Sequence, residues 1–261
     1  MNTYTSTSNE HIKNTAKLAA DPAERRKKRM AVICGSKLCL DALQSGAEFE
    51  ELFATEAGAE KYKEAFERCS EISSTVSMVS DGVDRKIEGQ KSPQGIFAVI
   101  RIPDEATKEA LMASKRTIIL AGIQDPGNVG TVIRTAAAFG FETAVLGPGC
   151  ADVWSEKVLR ASMGNCMRVM MYSAADLAKT IGELKQSGAA VIGAALTDDS
   201  VSLVKAAVPE KCAIVIGSEG QGIPSEIVGI LDQKVTIPMN PGVESLNAAA
   251  AAAIMMWNYR K

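Results

Sequence analysis

Five short apolar runs in the second half of this 261-residue chain do most to limit its fold: residues 117–122, 143–146, 191–195, 213–216 and 234–237. They are continuous rather than alternating, which marks strands covered on both faces, the situation of a parallel sheet. Between them the spacing predicts helices over 130–140, 155–161, 174–187 and 225–230, with a long closing helix over 245–259. That βαβα order implies an α/β fold, an open parallel sheet with helices on both faces.

The first half alternates more loosely. Its pattern predicts helices over 9–18, 36–45 and 61–69 and strands over 30–34, 48–54 and 95–101, the last after a Ser92-Pro93-Gln94-Gly95 turn. Residues 103–108 are polar, charged and without periodicity, which makes them the expected linker between domains at 1–104 and 105–261. At 46% hydrophobic, the chain has material for one large core or two modest ones.

Three loops follow strands of the second half, where parallel sheets place ligands. The first, Gln124-Asp125-Pro126-Gly127-Asn128-Val129-Gly130, leads into a helix that carries Asn128 and Arg134. The second is Ile216-Gly217-Ser218-Glu219-Gly220-Gln221-Gly222. The third, Ile237-Pro238-Met239-Asn240-Pro241-Gly242-Val243-Glu244-Ser245-Leu246-Asn247, ends at a helix start, where Ser245 reads equally as an N-cap. An arginine about two turns into an otherwise apolar helix calls for an anionic or strongly polar partner.

Several chemistries are excluded by what the loops lack. Gly147-Pro148-Gly149 meets Asp152 where a dinucleotide fingerprint needs its third glycine, residues 217–222 have the glycine spacings in the wrong order, and no phosphate-loop pattern occurs. The sole histidine, His11, lies in the polar N-terminal stretch, which removes imidazole-based triads and zinc-protease motifs. Six scattered cysteines without a C-x-x-C pair read as reduced core residues, and no metal site is expected. No apolar segment approaches the roughly 20 residues of a membrane span, and residues 1–9 lack a signal core, so a cytoplasmic protein is expected. Net charge is −2, yet Arg25-Arg26-Lys27-Lys28-Arg29 is a local run of cations. It suits either a solvated helix end or a phosphate-contacting patch.

Taken together, N-x-G-x-x-x-R in the first loop, I-G-S-E-G-x-G in the second and I-P-M-x-P-x-x-E-S-L-N in the third resemble the three motifs of the SpoU (TrmH-like) branch of the SPOUT superfamily. These are RNA 2′-O-ribose methyltransferases that use S-adenosylmethionine. The resemblance covers about residues 115–261. Residues 1–104 resemble, more loosely, the RNA substrate-binding domain of many members, akin to small α/β ribosomal proteins. The likeness there lies in the basic run, the following strand, the Gly35-Ser36-Lys37 turn and Ser92-Pro93-Gln94-Gly95-Ile96. Cys34-Gly35 departs from the Glu-Gly pair common in the family.

The resemblance implies a fold that connection rules would not supply: a C-terminal α/β domain, Rossmann-like in its parallel sheet, with residues 213–261 drawn into a trefoil knot. It implies a homodimer in which two subunits build each site, with Ile254, Met255, Met256 and Trp257 of the last helix at the interface or in the intramolecular core. It assigns catalytic positions to Asn128, Arg134, Glu219, Ser245 and Asn247 and cofactor positions to Leu196, Thr197, Gly217, Ile237 and Leu246. RNA contacts fall to Arg25, Arg26, Lys27, Lys28 and Arg29. Arg134 is either a general base or an electrostatic clamp. Ribosomal RNA is the expected partner; a tRNA methyltransferase, a base-methylating relative and a noncatalytic RNA-binding protein are the competing readings.

Overall fold

Along the chain come β1 (Asn2–Tyr4), α1 (Glu10–Ala20), α2 (Pro22–Lys28), β2 (Met30–Cys34), α3 (Ser36–Gln44), β3 (Phe49–Ala54), α4 (Glu56–Lys61), α5 (Lys63–Ile72), β4 (Thr75–Val79), α6 (Asp81–Glu88) and β5 (Ile96–Arg101). After them follow α7 (Lys108–Ala113), β6 (Arg116–Ala121), α8 (Pro126–Ala138), β7 (Thr143–Leu146), α9 (Glu156–Ala161), β8 (Met170–Ser173), α10 (Leu177–Gln186), β9 (Ala190–Ala194), β10 (Val201–Ser202), β11 (Cys212–Gly217), α11 (Ser225–Val228), β12 (Gln233–Thr236) and α12 (Ala248–Asn258). The structure, a computed structural model, describes residues 2–89, 92–242 and 245–260. It divides into two units, Met1–Asp104 with Asp152–Met167, and Glu105–Ala151 with Arg168–Lys261.

In the first unit a five-stranded sheet runs β1-β4-β3-β5-β2, with β5 antiparallel to both neighbours and the remaining pairs parallel. Ile12 and Leu18 of α1 and Val83 and Ile87 of α6 close one face over Val32, Phe53, Phe97 and Val99. Phe53 and Phe97 stack at 4.7 Å. Each such fully buried apolar side chain contributes about 1.5–3 kcal/mol. The only histidine is committed to structure, its Nε2 2.6 Å from Glu51 Oε2, while Ser77 Oγ donates to the other oxygen of Glu51. Segment Asp152–Met167 joins this unit through α9, whose Val158 and Leu159 are buried and which packs against β2.

Two carboxyls of α6 sit inside this unit. Asp84 and Glu88, one turn apart, are 2% and 5% exposed. Burial, the leading cause for both, pushes Asp84 up to about 6 and Glu88 up to about 7. Asp81 pushes Asp84 further up, Asp84 does the same to Glu88, and Arg85 and Arg160 pull the other way. Between roughly pH 4 and 7 the folded unit therefore holds more protons than the unfolded chain, so stability falls as pH rises through that window. Thermal midpoints measured from pH 5 to pH 8 are expected to decline, and Glu88→Gln should flatten the decline. An unchanged slope in that variant would place the pH dependence elsewhere.

The second unit is built on a seven-stranded sheet in the order β10-β12-β9-β11-β6-β7-β8, parallel at every pairing. Alternate residues divide its faces. Ile119, Val145, Val191 and Val215 pack with Leu177, Ile181 and Leu184 of α10, while Ile118, Leu120, Ile214 and Ile216 are buried on the opposite face. There α12 packs against α8 and β11. Its Met255 and Met256 are fully buried in the chain's own core, so of the four residues assigned to an interface or the core only Ile254 and Trp257 are exposed.

Strands expected at 117–122, 143–146, 191–195, 213–216 and 234–237 are all present, displaced by at most a residue or two. Helix starts differ more. α8 begins at Pro126 rather than residue 130, because Asp125 accepts from Asn128 N–H and Pro126 needs no donor in the first turn. α12 begins at Ala248, capped by Asn247 and not by Ser245. The helix expected over 61–69 is two helices meeting at Tyr62.

Candidate functional site

Because every strand of the second sheet points the same way, the loops after β6, β11 and β12 emerge at one edge. There the three motif segments meet in a row of hydrogen bonds. Asn128, in the first turn of α8, donates through Nδ2 to Glu219 Oε1. Asn247 Nδ2 donates to Asn128 Oδ1 at 3.0 Å. Asn247 Oδ1 in turn accepts from the N–H groups of Ala249 and Ala250 at 2.9 and 3.2 Å, two of the donors that a helix start leaves without partners. With its oxygen committed to the helix, the Asn247 amide can be oriented only one way, and that orientation is passed to Asn128 and on to Glu219.

Beside this row lies a cavity of about 350 Å³ with walls from the ends of β9, β11 and β12 and the start of α12. Leu196, Gly217, Glu219, Ile237, Ser245 and Leu246, all singled out in the sequence, line it. Its surface is largely apolar, with Ile216 and Met239 adding to the lining. Loop 217–222 is drawn tight by a reciprocal pair, Ser218 N–H to Gly222 O at 3.1 Å and Gly222 N–H to Ser218 O at 2.9 Å. This hairpin folds back over Gly217, where a Cβ would lie 2.0 Å from Gly222 C. A larger cavity of about 710 Å³ shares Ser218, Glu219 and Gly222 with the first.

Not every expected residue joins. Thr197 does not line the cavity; its hydroxyl bonds Asp199 and Ser200. Arg134 is exposed, in the third turn of α8, and makes no hydrogen bond or ion pair among the described residues. Its setting is solvent and not the apolar one expected, so no buried counter-charge is required. Val243 and Glu244 of the third motif lie outside the described residues. Met239 and Asp125 were not singled out beforehand, although an Asp ahead of Pro at a helix start is a legible cap.

The basic run forms the last turn of α2 and its C-cap, a favourable place for cations. One of its members is no RNA contact. Arg25 is 3% exposed and pairs with Asp152 at 2.7 Å while donating to the carbonyls of Leu18 and Ala19, so it ties segments of the first unit together. Arg29 turns to Asp104 and to the carbonyls of Ile102 and Pro103. Arg26 and Lys27 stay exposed, and Lys28 lies 3.8 Å from Glu24.

The cap at α12 makes a separable test. Asn247→Ala removes the acceptor for two helix N–H groups and is expected to cost about 1 kcal/mol, lowering the thermal midpoint by roughly 2–4 °C. Asn247→Asp keeps an acceptor at the cap but loses the donor to Asn128, so its midpoint should recover. If both variants melt alike, the side chain does not cap the helix.

Comparison with known proteins places this geometry. Residues 115–257 match the model of the SpoU rRNA Methylase family, and residues 9–98 match that of the MRM3-like substrate binding domain. A protein of Bacillus subtilis (strain 168), named 23S rRNA (guanosine(2553)-2′-O)-methyltransferase RlmP, is 30% identical over 257 residues, 98% of each chain. The crystal structure of an AdoMet-bound rRNA methyltransferase from Sinorhizobium meliloti superposes with a TM-score of 0.87 at 25% identity, covering 99% of this chain and 97% of that one. A TrmH-family structure from Porphyromonas gingivalis is 33% identical with a TM-score of 0.82, covering 97% and 98%.

Proposed function

This chain belongs to the SpoU rRNA methylase family, and from that premise and the geometry of the three loops we propose that it methylates the 2′-hydroxyl of a ribose in ribosomal RNA, using S-adenosylmethionine. The observation that carries the reading is the row Glu219–Asn128–Asn247 standing beside an apolar cavity at the carboxyl edge of the parallel sheet.

The cavity suits that cofactor. Leu196, Ile237 and Leu246 offer apolar surface, and Gly217, lacking a side chain, lets the main chain of Gly222 and Ile223 close over it and so shapes the loop that walls the cavity. S-adenosylmethionine bound there supplies an activated methyl group whose sulfonium charge disperses during transfer. The protein is then asked for alignment and exclusion of water more than for a counter-charge.

The demanding task is loss of the hydroxyl proton. Asn128 spends one N–H on Glu219 and has a second with which to orient the ribose. Glu219 and Ser245 complete the polar rim of the cavity. Arg134 acts as a clamp on the neighbouring phosphate and stabilises the developing alkoxide, because a guanidinium with a pKa above about 12 is a poor base.

Arg134 stands six residues beyond Asn128, about 9 Å along the helix and on another side of it. The reading therefore includes a homodimer, in which Arg134 of one copy serves the site of the other. Exposed Ile254 and Trp257 on α12, the latter edge-on to Phe139 at 5.4 Å, support such a pairing. It also includes a trefoil knot of residues 213–261, supported by a sheet order that sets β12 between β10 and β9 while α12 returns to α8. The expected boundary at 104 holds except for residues 152–167, which join the first unit; residues 1–104 with 152–167 bind the substrate, and 105–151 with 168–261 carry the chemistry. Action in the cytoplasm accords with described helices none of which is long and apolar enough to cross a membrane.

Transfer of labelled methyl to total RNA from a host lacking the gene, followed by digestion to nucleosides, tests the reading. Label is expected in a 2′-O-methyl nucleoside of the ribosomal fraction. Label in tRNA would change the substrate. No label in any RNA, from protein that binds the cofactor, would favour a noncatalytic RNA-binding protein.

A further inference from the structure

The apolar cavity takes the ends of β12, β9 and β11. The larger one, about 710 Å³, continues along the same edge of the sheet over β11, β6, β7 and β8, with Gly122, Pro148, Asp176 and the loop 218–222 in its walls. The loop after β11 is common to both, and Glu219, which accepts from Asn128, lines each of them. A nucleoside whose ribose is held at the Glu219–Asn128–Asn247 row therefore stands where the two cavities adjoin. With the cofactor in the apolar cavity, the larger one has room for one further group of that nucleotide, its base or its phosphate. Its volume lies within the range of about 300–1,000 Å³ usual for ligand sites.

The lining decides between them. Its charged side chains are Asp176, Glu219 and Glu226, with no lysine or arginine among the described residues. A phosphate entering there meets like charge, whereas the N–H groups of a base meet acceptors. These acids are not a metal site, since no group of His, Cys, Asp and Glu among the described residues could hold an ion. Asp176 is spent on capping α10, accepting from Lys179 N–H at 2.9 Å, and Glu219 holds Asn128. Glu226, exposed in the first turn of α11, has no hydrogen-bond or ion-pair partner among the described residues. The exposed side-chain amides of Gln124 and Gln221 are unpartnered in the same sense. Exposed Pro148 and Pro224 add apolar faces, and Gly122 and Gly149 meet without side chains, a Cβ on Gly149 falling 3.9 Å from Gly122 Cα. A flat ring with N–H donors on one edge uses all of these.

We propose that the larger cavity receives the unstacked base of the nucleotide being methylated, and that this base is guanine, its N1–H and N2–H donating to Glu226 and its O6 accepting from the amides of Gln124 and Gln221. The inference rests on the 2′-O-methylation reading above and adds the identity of the base to it. Guanine alone among the four bases sets two N–H donors side by side on its pairing edge, the match for one carboxylate. Adenine and cytosine set an amine beside a bare acceptor nitrogen, and uracil flanks its N–H with two carbonyls, so each would turn an acceptor toward the carboxylate.

The test uses the full chain with S-adenosylhomocysteine, the demethylated cofactor, at saturation, so that no nucleoside binds in the cofactor's place. Saturation-transfer NMR then compares guanosine, inosine, adenosine, cytidine and uridine. Guanosine should bind at least about tenfold more tightly than inosine, which lacks only the N2 amine, and than the other three, because a hydrogen bond to a charged group is lost. Glu226→Ala, at an exposed position, should melt like the unaltered protein and bring guanosine and inosine within about threefold of each other. In transfer to total RNA the labelled nucleoside should be 2′-O-methylguanosine, and Glu226→Ala should lower kcat/KM for RNA about tenfold with S-adenosylmethionine affinity within about twofold. No binding of guanosine, equal binding of guanosine and inosine, a preference that survives Glu226→Ala, or label in another 2′-O-methyl nucleoside overturns the proposal. Absence of methyl transfer by the unaltered protein overturns the enzymatic reading instead, since the nucleoside titration reads the cavity alone.

Discussion

Arg134→Ala is expected to lower kcat for methyl transfer by about 10³-fold while leaving S-adenosylmethionine affinity within about twofold, as befits a group that acts on developing charge. The split follows from placement. Arg134 is exposed on α8, outside the lining of the apolar cavity and outside the Glu219–Asn128–Asn247 row. Its removal therefore disturbs no contact that shapes the cavity. Arg134→Lys keeps the charge and loses the planar fork, so it should recover only part of the rate. Isothermal titration with the cofactor and single-turnover kinetics with RNA separate the two quantities, and equal loss of both would sink the clamp assignment. A mixing experiment tests the shared site. Coexpressed Arg134→Ala and Asn128→Ala chains, each inactive alone, should regain roughly a quarter of full activity. Half of randomly formed dimers are mixed, and each mixed dimer then has one complete site. No regain would mean that both residues act within one copy.

The second large effect is expected at Gly217. An alanine there would set its Cβ 2.0 and 2.2 Å from Gly222 C and O and 2.2 Å from Ile223 N, all main-chain atoms. Relief requires opening the Ser218–Gly222 pair that shapes the loop. We expect Gly217→Ala to lose cofactor binding by at least about 100-fold and to destabilise the second unit by about 3 kcal/mol or more. Gly220, in the same loop, has open space around its missing side chain, so Gly220→Ala is the matched control and should keep both properties. Cofactor titration and thermal melts of the two variants decide the matter. If Gly217→Ala binds as tightly as the control, the cavity does not depend on that close approach.

How much of this was legible depended on whether the determinant was local. The parallel strands could be read because burial on both faces leaves an unbroken apolar run, as at Ile118, Ile119 and Leu120. β1 could not, since Asn2-Thr3-Tyr4 carries no pattern and is a strand only by pairing with β4. α2 was obscured by its own charge run, although Asp21 ahead of Pro22 is a start signal. Arg25 belonged in a basic patch by sequence; its partner Asp152 stands 127 positions away, beyond any window. In the site, the three motifs named Asn128, Glu219 and Asn247, and the structure supplies the bonds between them. The motif alone could not say that Arg134 stands apart from that row, nor that Thr197 turns to Asp199. Glu88 had no signal at all: a polar residue on a short helix becomes notable only once its surroundings are known.

Segment Asp152–Met167 leaves the second unit after β7, contributes α9 to the first and returns before β8. Heredity meets an obstacle there. A recombination event joining foreign sequence at residue 104 would import a front unit without its inserted helix. It would also strand Val153, Val158, Leu159 and Cys166, each at most 3% exposed, beside a stranger. The first unit of this protein is therefore not a cassette that lineages can trade at one junction. Any graft has to carry residues 152–167 with it, so change in the first unit is reached more readily by point substitutions made in place.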